Sequence, residues 1–142
     1  MKVEHKKVNF TDDRGTIMDI FTGEPREHCT VIHSVKGSMR GNHFHKLTMQ
    51  SDFMVMGKMR IFSRKADSAE VVETIVEAND FIQWELGEAH EFIALEDLIF
   101  VTFHNGPRGG TDYESDTFRL VIPLHEQKEK GLVDLALQPK RL

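Results

Sequence analysis

Apolar and polar positions along this chain alternate in short runs, and no long stretch repeats its apolar residues every three to four positions. The pattern predicts β-strands at Val3–Phe10, Thr16–Phe21, Thr30–Val35, Met39–His45, Gln50–Met56, Lys58–Arg64, Val71–Glu77, Phe81–Trp84, Glu91–Ala94, Leu98–His104 and Phe118–Ile122. Turn residues separate them at Asp12-Asp13-Arg14-Gly15, Lys36-Gly37-Ser38, Ala78-Asn79-Asp80, Leu86-Gly87-Glu88 and Asn105-Gly106-Pro107-Arg108-Gly109-Gly110. Gly and Asn at these places admit positive φ, and Pro fixes φ. Many short strands at this spacing predict an all-β sandwich or barrel. No repeat, low-complexity tract or composition shift marks an internal boundary, so one domain over residues 1–142 is expected, with its barrel over about residues 16–123. Residues 126–142 are charged and then mixed, and fit a short helix, a swapped arm or a tail equally well.

Composition narrows the function classes. At 142 residues the chain can bury a core without disulfide staples. A net charge of −5 and a pI near 5.9 argue against a general nucleic-acid binder. They leave room for an anionic small ligand, since a few local arginines are enough for one. The single cysteine, Cys29, forms no internal disulfide, which fits a reducing compartment. No apolar run follows the charged start Met1–Lys7, and no 18 apolar residues stand together. A cytoplasmic protein without a membrane partner is the expectation.

The candidate chemistry centres on histidines. Residues i and i+2 of a strand share a face, so His43 and His45 point the same way, with Cα atoms about 6.5–7 Å apart. Gln50 follows at the start of the next predicted strand, and His90 comes after the Gly87 turn. The pair alone is weak, because eight histidines in 142 residues give about 0.4 His-x-His pairs by chance. Its frame is more telling. Gly37-x5-His43-x-His45-x4-Gln50-x6-Gly57 resembles the first cupin motif, with Gln where Glu is usual. Gly87-x2-His90 resembles the second, with Asn79, Glu85 and Ala94 replacing its Gly, Pro and Asn. The resemblance implies a cupin barrel, a double-stranded β-helix of jelly-roll type. It also implies His43, His45, Gln50 and His90 as ligands of one divalent transition metal, either Fe, Mn, Ni, Cu or Zn. Gln50 would contribute a neutral amide instead of an anion. The alternative is that these histidines line the barrel as ordinary hydrogen-bonding groups. No organic cofactor is expected.

Three segments resemble a narrower group, the cupins that act on nucleotide sugars. Phe10-Thr11-Asp12-Asp13-Arg14-Gly15 is similar to their Asp-x-Arg-Gly start. Arg40-Gly41-Asn42-His43-Phe44-His45-Lys46, ending in Gln50, resembles a run of the dTDP-4-dehydro-6-deoxyglucose 3,4-ketoisomerases and of cupin domains in capsule-biosynthesis reductases. Residues 106–114 resemble a tail of the same group. The resemblance implies an isomerase or epimerase of a nucleotide-linked 4-keto-6-deoxy sugar, in surface-polysaccharide or deoxysugar synthesis. In the ketoisomerases, His43 and His45 would carry protons between neighbouring carbons without a metal. Arg40 would hold the diphosphate, with an ion pair to an acidic surface residue as the alternative, and Lys46 would assist in binding. Trp84 and Tyr113 would stack on the base, although barrel packing accounts for Trp84 as well. Two other functions fit: a metal-dependent cupin enzyme (an oxygenase, or a metal-assisted isomerase or lyase) and a non-catalytic sugar-binding cupin. His104, just before the Gly-rich loop, is a further residue of interest, and Met39, Met49, Met54, Met56 and Met59 read as packing. Exposed sheet edges favour a homodimer.

Overall fold

The computed structural model describes residues 1–112 and 114–131, together with the backbone of residues 140–141. Its strands are β1 (Lys2–His5), β2 (Phe10–Asp12), β3 (Gly15–Ile17), β4 (His28–Ser34), β5 (Met39–Phe44), β6 (Met49–Met56), β7 (Lys58–Arg64), β8 (Val72–Glu77), β9 (Asp80–Gln83), β10 (Ala89–Ala94), β11 (Leu98–Asn105), β12 (Phe118–Arg119) and β13 (Lys140–Arg141). One sheet runs β1-β9-β6-β11-β4 and the other β13-β12-β5-β10-β7-β8, while β2 and β3 form a separate hairpin. The pairings are antiparallel. This is the cupin jelly roll that the motif frame implies.

The strand alternation explains the core. In β11, Leu98, Phe100, Thr102 and His104 point inward while their neighbours are partly exposed. Phe100 packs with Met54, Met59, Ile61, Val76, Ile82, Trp84 and Phe92 at one end of the barrel. At roughly 1.5–3 kcal/mol per fully buried large apolar side chain, this cluster is the main source of cohesion.

Three predicted strands depart from the alternation pattern. The predicted strand Val3–Phe10 is split: its first part pairs with β9 as far as the Lys6 N–H bond to the Asn79 carbonyl, and from Asn9, whose N–H bonds the Ile17 carbonyl, it pairs with β3 instead. Asn9 Oδ1 then accepts the N–H of Asp19, which ends β3 well before Phe21. Strand Phe118–Ile122 stops at Arg119; Leu120 N–H still bonds the Asn42 carbonyl, and the chain leaves β5 beyond it. Beyond it, Leu124–Lys130 forms helix α1, closed by Gly131 at φ 61°. Residues 132–139, within the segment whose form the sequence leaves open, lie outside the described residues.

The β5–β10 pair positions the histidines. His43 and His90 are direct cross-strand partners, and a register shift follows between His90 and Glu91. Opposite that bulge, Gly41 and Asn42 take φ of 90° and 57°. Asn42 stays at this strained setting because its carbonyl accepts Leu120 N–H and its side chain accepts Leu124 N–H.

Candidate active site

A cavity of about 390 Å³ opens between the sheets and is lined in part by His43, His90, Gln50, Arg40, Arg108 and Arg119. At its floor the rings of His43, His45 and His90 gather, with centroids 4.7 to 5.5 Å apart. One nitrogen from each lies within 4.8 Å of the others. Among the described residues no other trio of His, Cys, Asp or Glu converges in this way.

Burial pushes the His43 and His90 imidazoles well below the usual histidine range, and the neighbouring rings add to the effect. His45 is lowered as well, chiefly by burial, while the Asp116 carbonyl and Gln50 work in the opposite direction. All three are therefore uncharged at neutral pH. His45 Nδ1 lies 2.9 Å from the Asp116 carbonyl, which can only accept. Nδ1 must then carry the hydrogen, and Nε2 turns a bare lone pair toward the cluster. That Nε2 has no hydrogen-bond partner, and neither do His43 Nδ1 or the two nitrogens of His90. Buried polar atoms left this way are costly unless something fills the space between them. Three neutral imidazoles that bring one nitrogen each within 4.8 Å of the others, with the bare His45 Nε2 turned inward, fit a divalent transition metal.

Around the floor lie groups of both signs. Arg108 Nη1 donates to His104 Nε2 at 2.6 Å, and Arg108 Nε is buried without a partner. Burial first, and then Arg108, hold His104 down to about 3. Arg119 Nη2 reaches both oxygens of Glu114, at 2.9 and 3.1 Å. Arg40, at the cavity mouth, donates to Ser34 Oγ and the His33 carbonyl. Gln50 Nε2 points away from the histidines to the Asp52 carboxylate.

Not every residue singled out from sequence joins this site. Trp84 is a core residue, not a platform for a base: it is 5% exposed, its ring packs on His90 and Phe92, and its indole N–H is spent on Asp52. Lys46 does not line the cavity, and its ammonium sits 4.4 Å from the Phe118 ring centroid. Tyr113 lies outside the described residues. Sequence reasoning also gave no role to Arg108, Glu114, Arg119, Asp52 or Asp116. Arg108 and Glu114 fall within the Gly-rich run whose resemblance was noted, but Arg119, Asp52 and Asp116 carry no local signal.

The family model of the polysaccharide biosynthesis C-terminal domain matches residues 10–110. The chain belongs to this family. Its fold is shared with solved structures of low identity. The capsular polysaccharide assembling protein CapF of Staphylococcus aureus is 24% identical over 82% of this chain and 33% of CapF, with a TM-score of 0.60. A dTDP-4-dehydrorhamnose 3,5-epimerase from Sulfolobus tokodaii is 22% identical over 72% of this chain and 68% of its own, at 0.61. A dTDP-6-deoxy-D-glucose-3,5-epimerase from Legionella pneumophila, in complex with dTDP-4-keto-L-rhamnose, reaches 0.69 at 16% identity, over 83% of this chain and 71% of its own. The chain thus spans about a third of the length of CapF. No curated protein matches it in sequence. None of the described helices is long and apolar enough to cross a membrane.

Proposed function

We propose that this family member is an isomerase or epimerase of a nucleotide-linked keto sugar, with His43, His45 and His90 holding a divalent transition metal beside the ketone. One observation carries the reading: a single cavity joins three arginines to a floor of uncharged imidazoles with unpartnered nitrogens. The arginines suit the diphosphate, since a planar guanidinium matches phosphate oxygens. Family membership and the fold shared with dTDP-sugar epimerases support the substrate class.

A C–H beside a ketone is acidified, and its proton leaves to give an enediol that regains a proton on either carbon or face. A bound divalent ion would polarise the ketone oxygen. The chain must do the rest. Arg108, with its unpartnered Nε, and Arg119 orient the anionic end of the substrate. Glu114 is a carboxylate on the cavity wall, and in this reading it accepts the proton. Trp84 and Phe92 close the floor from the core side and exclude water.

A second reading has His43 and His45 as the proton carriers, without metal. It is favoured by their lowered pKa values, which leave free-base imidazoles at neutral pH. The test is elemental analysis of purified protein, followed by incubation with dTDP- and UDP-linked 4-keto-6-deoxy sugars in D2O. About one metal per chain with deuterium entering the ring positions next to the ketone is the expected result. Exchange without metal favours the second reading. Tight binding without exchange points to a sugar-binding module. If the sugars neither bind nor exchange, the substrate class is wrong.

A further inference from the structure

The Glu-to-Gln departure at position 50 has a counterpart two residues along the same strand. Asp52 is fully buried, at 0% exposure, and is joined to the histidine cluster through Trp84, which packs on His90. Its Oδ1 and Oδ2 each accept Gln50 Nε2 at 3.1 Å. Oδ2 also accepts the Trp84 indole N–H at 2.7 Å, and Oδ1 accepts the Thr102 hydroxyl. All these donors are neutral. Burial pushes the Asp52 carboxyl up, the three neutral donors pull it back, and Arg108 is the positive charge that acts on it from nearby.

The hydrogen bonds also fix which way Gln50 faces. The Trp84 indole N–H can only donate, so Asp52 Oδ2 accepts it, and the Gln50 NH2 end is turned toward both carboxylate oxygens. The amide oxygen is then left for the other side, where Gln50 lies against His45 and lines the cavity. His45 turns a bare Nε2 into the same space, because its Nδ1–H is committed to Asp116. Two acceptors aimed at one space call for a donor or a cation between them, and the three converging histidines suit the cation.

We infer that Asp52 is the anion of the metal site, set behind the ligands instead of among them: it orients the Gln50 amide oxygen toward the ion and supplies through that amide the negative charge that a Glu ligand would supply directly. This rests on the three-histidine metal reading above. Asp52 is a positioning residue and touches neither ion nor substrate. Asp52→Asn would remove the charge and also flip Gln50. The introduced side-chain amide would offer its own NH2 to the Gln50 oxygen, and the Gln50 NH2 would then face the ion. Restoring Glu at position 50 alone would set two carboxylates side by side in the core, so one of them must take up a proton. The charge swap Gln50→Glu with Asp52→Asn is complementary again, since the introduced amide would donate to one oxygen of the new carboxylate and leave the other for the ion.

The experiment measures Zn(II) and Co(II) dissociation constants of the metal-stripped full chain by competition with a chromophoric chelator. It includes the Co(II) d–d spectrum and is run on the parent, Asp52→Asn, Gln50→Glu and the double variant. Thermal melts of the metal-free forms report folding separately. Asp52→Asn should weaken both metals by about 10–100-fold, the range for carboxylates that hydrogen-bond a metal's ligands. Gln50→Glu alone should not tighten binding, and the double variant should return to within about threefold of the parent. Parent-like affinity and an unchanged Co(II) spectrum in Asp52→Asn would overturn the inference while leaving the metal reading intact. A Gln50→Glu variant that binds more tightly than the double would overturn it too, even if Asp52→Asn does not fold. A parent chain that takes up no metal overturns both.

Discussion

Gly41 faces the bulge that sets His43 against His90, and adding one methyl group there should disturb both stability and site. Its φ is 90°, and an added Cβ would lie 2.6 Å from the His90 carbonyl oxygen and 3.3 Å from Glu91 Cα. The backbone setting costs an L-residue about 1–2 kcal/mol. The contact is with backbone, so β10 must shift, at a further cost of about 1–3 kcal/mol. Gly41→Ala should therefore lose about 2–5 kcal/mol. With an unfolding entropy of about 2.1 cal/mol/K per residue, a chain of 142 residues should melt about 7–17 °C lower. Gly37 is the control. It has φ 84° and nothing within 4 Å of the added Cβ, so Gly37→Ala should lose only the backbone part, about 3–7 °C. Calorimetric melts of the two variants, with metal content beside them, read the difference directly. Metal should fall in Gly41→Ala and hold in Gly37→Ala, because only the first moves His90. Two variants that melt within about 2 °C of each other would refute the close-approach account.

Three other outcomes follow from the site. His43, His45, His90 and His104 are all lowered by burial, so the fold binds fewer protons than the unfolded chain below about pH 6.5. The metal-free protein should lose stability as pH falls from there, by about 1.4 kcal/mol per pH unit for each such group, with the His104 window reaching to about 3. Denaturant melts that stay flat from pH 7 to pH 5 would contradict this. At Asp116, burial opposes ionisation, but the N–H groups of Leu47, Thr48 and Lys46 hold the carboxyl below its usual value. Its stabilisation is present above the unfolded carboxylate pKa and lost as pH falls through the folded one, so Asp116→Ala should cost about 1–3 kcal/mol at pH 7 and much less at pH 2. An equal cost at both pH values would rule out the charged form as the source. Finally, Arg119→Met should raise KM for a nucleotide sugar by about 10–100-fold through loss of a charged contact, and should also lower kcat, because Arg119 holds both oxygens of Glu114. Steady-state kinetics with the fall confined to kcat would assign Arg119 to the chemical step instead.

Much of this protein is legible in its sequence because strand alternation is a local property. A period of two places His43 and His45 on one face and sends Leu98, Phe100, Thr102 and His104 of β11 inward, whatever the rest of the chain does. The spacing around His43, His45, Gln50 and His90 is local as well, and the structure brings all four to one cavity region. Strand ends were less legible, because contacts between segments set them, as where Asn9 Oδ1 accepts the N–H of Asp19 beyond β3 and Asn42 Oδ1 accepts the N–H of Leu124 beyond β12. Trp84 shows the same limit. Its aromatic face suits a base as well as a core, and only the indole N–H on Asp52 decides between them.

The all-β class, the histidine frame and the Gln at position 50 all follow from the order of residues. Three features do not: that Gln50 gives its NH2 to Asp52, that His45 turns Nε2 inward, and that Arg108 and Arg119 share the histidines' cavity. Orientation and protonation depend on which donors and acceptors meet across strands, and those meetings are set by packing between segments distant along the chain.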